Sequence, residues 1–345
     1  MSDADGPATR CPVCLSRVGL DRDDLWVWED GEYRELWMPE DAPPDLRARW
    51  LRGAHVRCPN HGSRLPVHYL PHRYVDSDPV VVAIIGAPRS GKTHLLASVI
   101  GAVQAQGLDG FGLLATALDT GRYERFLNTR VRPLFDRGQI LDRTAENIWE
   151  FEVGLLVTDQ DAPDGQPRAV AFFDVAGDEL SVLSQAENKV FLDAADAFVF
   201  VVDAEQLARG VPDAAFSAIL NLVPNSRDKA AVLVLSKADR FRFEPPVDRW
   251  LRAGPPDADP ARIEAETRDL YAFVTRFDEA DGWLRPWAEF GRSAIHAVSA
   301  TGGPDAPGQK LFARPVRPQR VLSPFVTLMA MTGVIGSDEA RRVGL

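Results

Sequence analysis

Cysteine is scarce and confined to one end. Cys11, Cys14 and Cys58 are the whole complement, and no thiol follows residue 58. Such segregation does not reflect core packing, and an odd count disfavours a closed set of disulfides. Lysine is rare too: five are present, Lys92, Lys189, Lys229, Lys237 and Lys310. Positive charge is not in excess, because the formal net charge is -11. That balance argues against a sequence-independent grip on nucleic acid. A membrane-spanning run is also lacking. The longest late apolar stretch, Val321 to Ile335, is broken by Pro324 and Gly333 and is too short to cross a bilayer comfortably. No basic start leads into an apolar segment, so no signal peptide is read and a cytoplasmic location is expected. Internal repeats and low-complexity tracts are missing as well.

What is present is enough for a real core. The chain has 345 residues, 45% of them hydrophobic, which suits one large domain and one small one. Richness in Ala, Arg, Asp and Pro suggests a GC-rich bacterial genome. From Val80 onward strand and helix patterns alternate. Strands are predicted at Val80–Ile85, Ile148–Val157, Ala169–Phe173, Ala197–Val202, Ala230–Leu235 and Ala294–Val298. Helices are predicted at Lys92–Gln106 (closed by Gly107), Tyr123–Asp136, Ala214–Val223, Asp259–Phe277 and Pro324–Met331. This order implies an α/β fold with a mostly parallel sheet covered on both faces. The segment from Gln106 to Asn147 is long for a connection and must carry its own structure or be a functional loop.

Three motifs carry chemistry. Gly86-Ala87-Pro88-Arg89-Ser90-Gly91-Lys92-Thr93 fits GxxxxGK[ST] between an apolar strand and a helix, and the next residue, His94, is counted with it as a nucleotide-binding candidate. The glycines let backbone amides curl inward toward phosphate oxygens, Lys92 reaches the outer phosphates, and the Thr93 hydroxyl coordinates Mg²⁺. The helix N-terminus adds partial positive charge, and Pro88 gives up one donor. A glycine-rich turn with a chance lysine is the bland alternative, which motif and context together disfavour. Next, Asp174-Val175-Ala176-Gly177 ends a buried strand, placing Asp174 to reach the Mg²⁺ shell and the Gly177 amide to meet a γ-phosphate. An ordinary Asp-Gly turn would look similar in isolation. Third, Ser236-Lys237-Ala238-Asp239 ends another buried strand. A carboxylate at Asp239 would accept two parallel bonds from guanine N1–H and its 2-amino group, where adenine offers neither donor. Beyond the last strand lie Ser299 and Ala300; a backbone amide here, at Ala300 by preference, would donate to guanine O6.

In this order the motifs resemble those of the Ras-like GTPases of the P-loop superfamily. The cysteine-rich front, the lead-in HYLPHRY, IIGAPRSGKTHLL and the terminal SPFVTLMAMTG make the layout similar to bacterial double-GTPases of signalling and conflict systems. The resemblance implies GTP/GDP with Mg²⁺, and a single switch threonine just before the second strand. Thr144 stands there, with Thr116, Thr120 and Thr129 as rivals. One departure matters. Where relatives of this kind often carry a water-orienting glutamine, this chain has Asp178, followed by Glu179. A carboxylate there repels phosphate unless screened, or holds a water, so slow or partner-stimulated hydrolysis is expected. Gln185, Arg89 and Arg122 are remote substitutes. Lys92, Thr144, Gly177 and Asp178 are the catalytic candidates. A nucleotide-binding scaffold without useful catalysis is the second reading.

The thiols form part of a further pattern. Cys11-Pro-Val-Cys14 and Cys58-Pro-Asn-His61 are two ligand pairs with equal internal spacing, a Cys₃His set suited to structural Zn²⁺. Four protein ligands leave no open position for catalysis. His68 and His72 are rival fourth ligands. A strand pair or helix around Trp26–Trp50 must bring the two pairs together. Residues 1–75 are therefore read as a zinc-ribbon-like module with linker, and 76–345 as the P-loop GTPase domain. The module's balanced charge and aromatic content favour docking of a protein partner or packing on the GTPase domain.

Overall fold

A computed structural model describes residues 9–11, 14, 17–19, 24–39, 41–60, 67–142, 152–162, 165–174, 191–212, 214–254, 258–306 and 308–345. Its centre is a seven-stranded sheet in the order β13-β12-β11-β7-β10-β9-β8. The strands are β7 (Val80–Ile85), β8 (Leu113–Ala117), β9 (Val153–Asp159), β10 (Arg168–Asp174), β11 (Ala197–Asp203), β12 (Ala230–Ser236) and β13 (Arg292–Ala297). From β13 to β10 all neighbours are parallel, while β9 runs antiparallel to both β10 and β8.

The period of two along each strand divides the core into two layers. Val81, Ala83 and Ile85 of β7 face one layer with Phe198, Phe200 and Val202 of β11. Val80, Val82 and Ile84 face the other with Val199 and Val201. Both faces are apolar because both are covered, as a parallel sheet requires. The second layer is closed by α2 (Lys92–Gln104), by α3 and by α7 (Leu322–Met331). Here α3 is the helical stretch 120–137, with an α start at Thr120–Phe126, a π turn at Leu127–Val131 and an α end at Arg132–Arg137. The first layer is closed by α4 (Ala214–Leu220), α5 (Pro260–Val274) and α6 (Ala280–Glu289).

The front of the chain also lies on the first layer. A hairpin of β3 (Leu25–Glu29) and β4 (Glu32–Glu35) joins β5 (Ala54–Arg57) and β6 (Tyr69–Pro71) in a four-stranded sheet, order β4-β3-β5-β6. Helix α1 (Pro44–Gly53) leads directly into β5. A further short pair is made by β1 (Thr9–Arg10) and β2 (Arg17–Val18). Both expected devices, a strand pair and a helix, thus lie between the cysteine pairs. Cys11, Val18, Leu25, Val56, Cys58 and Leu70 belong to the same buried cluster as Val81 and Phe198. Polar contacts reinforce the joint: Arg10 pairs with Asp193 at 3.1 Å, and His55 Nε2 lies 3.2 Å from Asp119 Oδ2.

Strand β8 and helix α6 are not among the strands and helices predicted above. The long segment after α2 carries its own edge strand β8, whose five residues alternate too briefly to read as a strand. Helix α6 contains Pro286, which argues against a helix locally; burial of Trp283 and Leu284 holds it in place.

Candidate functional site

Four strand ends build the site. β7, β10, β12 and β13 are parallel and terminate along one edge, so the loops that follow them lie side by side, the usual place for a ligand in an open α/β sheet. The loop after β7 is tight. A Cβ on Gly86 would lie 2.8 Å from Ser90 Oγ and 2.9 Å from Val201 O, so only glycine fits there. Arg89 and Gly91 take left-handed backbone, with φ of 64° and 98°. The curl aims the start of the thirteen-residue helix α2 into the loop. Lys92 Nζ donates to Gly86 O at 2.8 Å and to Ala87 O at 3.2 Å, so its ammonium lies across the loop. Ser90 is fully buried, and its Oγ meets no hydrogen-bond partner among the described residues. An inward-curled backbone, a buried ammonium and an unmatched hydroxyl together fit a phosphate group.

Thr93 Oγ1 donates to Asp174 Oδ2 at 2.8 Å. The two proposed Mg²⁺ residues, from the first and second motifs, are therefore in direct contact, and the pair of oxygens fits a hard cation. His94 is half-buried and turned toward the chain around Leu141: its Nε2 accepts from Leu141 N at 3.1 Å, and Phe312 meets the ring edge-on at 5.6 Å. Burial pushes its pKa down to about 4, with the charges of Lys237 and Arg130 acting in the same direction, so the ring is the neutral acceptor this bond needs.

At the other end of the edge, Ser236 Oγ donates to Ser90 O at 2.6 Å, with Val202 O 3.1 Å away. Ser236 thus ties the phosphate loop to the end of β12. Lys237, in left-handed backbone, holds its Nζ 2.9 Å from Asp203 Oδ2 and 3.3 Å from Glu205 Oε2. Asp239 is buried, and one of its carboxylate oxygens accepts from Ser299 Oγ at 2.6 Å. Ser299 Oγ in turn accepts from Gly302 N at 2.9 Å. Ala300 O accepts from Ser98 Oγ of α2 at 2.7 Å. Backbone pairing of Ser299 with Gln319 holds the loop from the other side.

Thus the structure brings together Gly86 to Thr93, Asp174, Ser236, Lys237, Asp239, Ser299 and Ala300. Thr144, Gly177, Asp178, Glu179, Gln185 and His61 lie outside the described residues. Of the rival threonines, Thr116 sits on edge strand β8, Thr120 opens α3, and Thr129 donates to Arg125 O within its own helix. Arg89 is exposed, and Arg122 lies 3.6 Å from Asp119. Sequence reasoning missed Asp203 and Glu205, the carboxylates that steer Lys237. A buried strand ending in Asp, Ala197–Asp203, was the available signal for the first of them.

The thiols form a second centre. Ligand atoms of Cys11, Cys14, Cys58 and His68 all lie within 4.8 Å of one another. Cys14 and Cys58 sulfurs are 3.4 Å apart, and Cys11 Sγ is 3.3 Å from His68 Nε2. Tetrahedral zinc–thiolate bonds place sulfurs about 3.8 Å apart, so the donor set and spacing fit zinc. A hydrogen bond from Cys11 pushes the Cys58 thiol down to about 4 despite its burial, while Cys11 itself is pushed up. The β5–β6 pairing accounts for His68: Cys58 N donates to His68 O at 3.0 Å, which sets the two residues opposite each other.

A family model described as Double-GTPase 2 matches residues 80–280. Similar solved structures include an ADP ribosylation factor-like GTP-binding protein, a small COPII coat GTPase of Encephalitozoon cuniculi in complex with GDP. It is 12% identical with a TM-score of 0.31, over 74% of this chain and 82% of that one. Another is translation elongation factor SelB of Methanococcus maripaludis with the GTP analogue GppNHp. It is 12% identical with a TM-score of 0.25, and the match spans 65% of this chain and only 30% of that one. No curated protein matches the chain.

Proposed function

The chain belongs to the Double-GTPase 2 family, and from that premise we propose that it is a guanine-nucleotide switch with slow or partner-stimulated GTP hydrolysis. The observation that carries the guanine assignment is the base corner. Asp239 is buried and oriented by Ser299, and Ser236 bolts that corner to the phosphate loop. An aimed, desolvated carboxylate discriminates by leaving itself unpaired when adenine is offered. The phosphates of the nucleotide would take the loop amides and Lys92, whose ammonium would leave its carbonyls for phosphate oxygens. Thr93 and Asp174 would hold Mg²⁺, which when bound neutralises charge on the phosphate oxygens. Thr144 is proposed to close over Mg²⁺ when the γ-phosphate is present, the Gly177 amide to donate to that phosphate, and Asp178 to hold a water.

Calorimetric titration with non-hydrolysable GTP and ATP analogues in Mg²⁺ tests this. Binding of the guanine compound alone is expected; equal or exclusive binding of the adenine compound overturns the assignment. The sequence departure at Asp178 favours a second reading, a nucleotide-binding scaffold without useful catalysis. A single-turnover rate at the uncatalysed level, with and without partners, would establish it.

For the thiol centre we propose structural Zn²⁺ held by Cys11, Cys14, Cys58 and His68. It supplies folding free energy to a small sheet with little core of its own. The arginine- and alanine-rich composition supports a bacterial setting, which we propose to be a signalling or conflict system. No helix among the described residues is long and apolar enough to cross a membrane.

A further inference from the structure

An arginine-lined groove opens beside the base corner. One cavity of about 760 Å³ has Asp239 in its wall and a second of about 490 Å³ adjoins it; the two share Arg242, Phe243, Gly302 and Arg317. They adjoin at these shared residues and together form one trough. Phe243 is 88% exposed, a large apolar ring that the fold leaves in solvent. Arg314 also lines the first cavity, and among the described residues neither Arg314 nor Arg317 takes part in an ion pair. The loop that presents them is held in place: Arg317 N donates to Thr301 O at 3.0 Å, and Gly302 is pressed against Arg317 O so closely that a Cβ would lie 2.4 Å away.

Arg242 links this trough to the base reader. Its Nε donates to Asp239 O at 3.2 Å and its terminal nitrogen to Gly302 O at 2.9 Å, bracing the Ser236–Asp239 turn against the Ser299–Gly302 loop. We propose that the trough receives an extended acidic segment of a partner protein carrying an apolar side chain, and that its seating hastens release of guanine nucleotide. The release step rests on the guanine reading above.

Charge complementarity selects this occupant. Unpaired guanidinium groups in a chain of net charge -11 offer a local, discrete target for carboxylates. The exposed ring and the combined volume of the two cavities suit a peptide better than a single small anion. A nucleic acid needs a continuous track of positive charge, which a chain of net charge -11 with a few discrete guanidinium groups does not offer. A carboxylate drawn to Arg242 competes with Gly302 O and Asp239 O, loosening the brace on the base.

The test uses the full zinc-loaded chain and a fluorescein-labelled peptide of repeating Glu-Phe-Glu. The comparison probes are a single-stranded oligothymidylate and inorganic phosphate. The peptide is expected to bind more weakly as salt rises, and about tenfold more weakly to an Arg314→Glu/Arg317→Glu variant. An Arg314→Lys/Arg317→Lys variant, which keeps charge and packing, retains most of the binding and guards against misfolding as the cause. Bound peptide is expected to speed release of a fluorescent GDP analogue several-fold. No peptide binding, equal binding to the charge-reversed variant, or preference for oligothymidylate or phosphate overturns the docking site. Binding with an unchanged release rate overturns the coupling. Arginine-dependent peptide binding by a chain that takes no guanine nucleotide upholds the docking site and removes the switch reading instead.

Discussion

Asp239 and Ser236 act at the smallest scale, through single hydrogen bonds. Asp239 is buried and receives Ser299 Oγ on one oxygen, so replacing it with Asn presents a donor where guanine also presents donors. Asp239→Asn is expected to lower GTP affinity by about a hundredfold or more, measured by titration, with little change in ATP binding. Ser236→Ala removes the bond to Ser90 O and leaves a buried carbonyl unmatched. A loss of about 1 kcal/mol, near fivefold in nucleotide affinity, is expected from the same titration.

Among the elements, α5, β13 and α7 are joined by a buried polar network that holds the end of β13, and with it Ser299. Glu266 of α5 accepts from His296 Nδ1 at 2.9 Å and from Ala297 N at 3.3 Å, and it pairs with Arg320. His296 Nε2 lies 2.9 Å from Thr327 Oγ1 of α7. Arg320 follows Gln319, the residue that pairs with Ser299, so the network also braces the base corner. Burial pushes the Glu266 carboxyl up, but His296 and Arg320 outweigh it and the pKa falls below the ordinary 4.5. The folded state therefore holds this proton less tightly than the unfolded chain. Its stabilisation is complete above about pH 4.5 and is lost as pH falls through the lower folded value. Glu266→Gln leaves Arg320 without its counter-charge and is expected to cost about 3–5 kcal/mol in denaturant unfolding at neutral pH. The gap between variant and parent is expected to narrow below pH 4.5.

For the whole molecule, the shared core is decisive. Cys11, Val18, Leu25, Val56, Cys58 and Leu70 bury themselves in the cluster that includes Val81, Ala83 and Ile85 of β7. Division of the chain at residue 75, a proposal from sequence, separates two segments that contribute to one apolar layer. Deletion of residues 1–75 is expected to yield an aggregating remainder with a lowered unfolding midpoint, because it bares that face of the sheet. Metal analysis is expected to find one zinc per chain; chelation lowers the thermal midpoint of the parent. His68→Ala is expected to lose the zinc while His61→Ala retains it. The reverse outcome reassigns the fourth ligand.

The family, the motif order and most strands were legible in the sequence because they are local. A buried parallel strand is a continuous β-branched run, and Gly86 to Thr93 must be contiguous for a backbone to wrap a phosphate. The contact between Thr93 and Asp174 followed from their motifs. What was not legible depends on residues brought together from far apart. Cys58 and His61 share the spacing of Cys11 and Cys14, so pattern alone favoured His61. Antiparallel pairing of β5 with β6 puts His68 opposite Cys58, and no spacing rule expresses that. Arg242, Gly302 and Arg317 are ordinary loop residues in one dimension, and Glu266 reads as one more helical acid. Sequence by itself determined which chemistry the strand ends carry. Tertiary structure decided which distant side chains orient it, because buried charge and hydrogen-bond geometry are set by what packs alongside and not by what lies next in the chain.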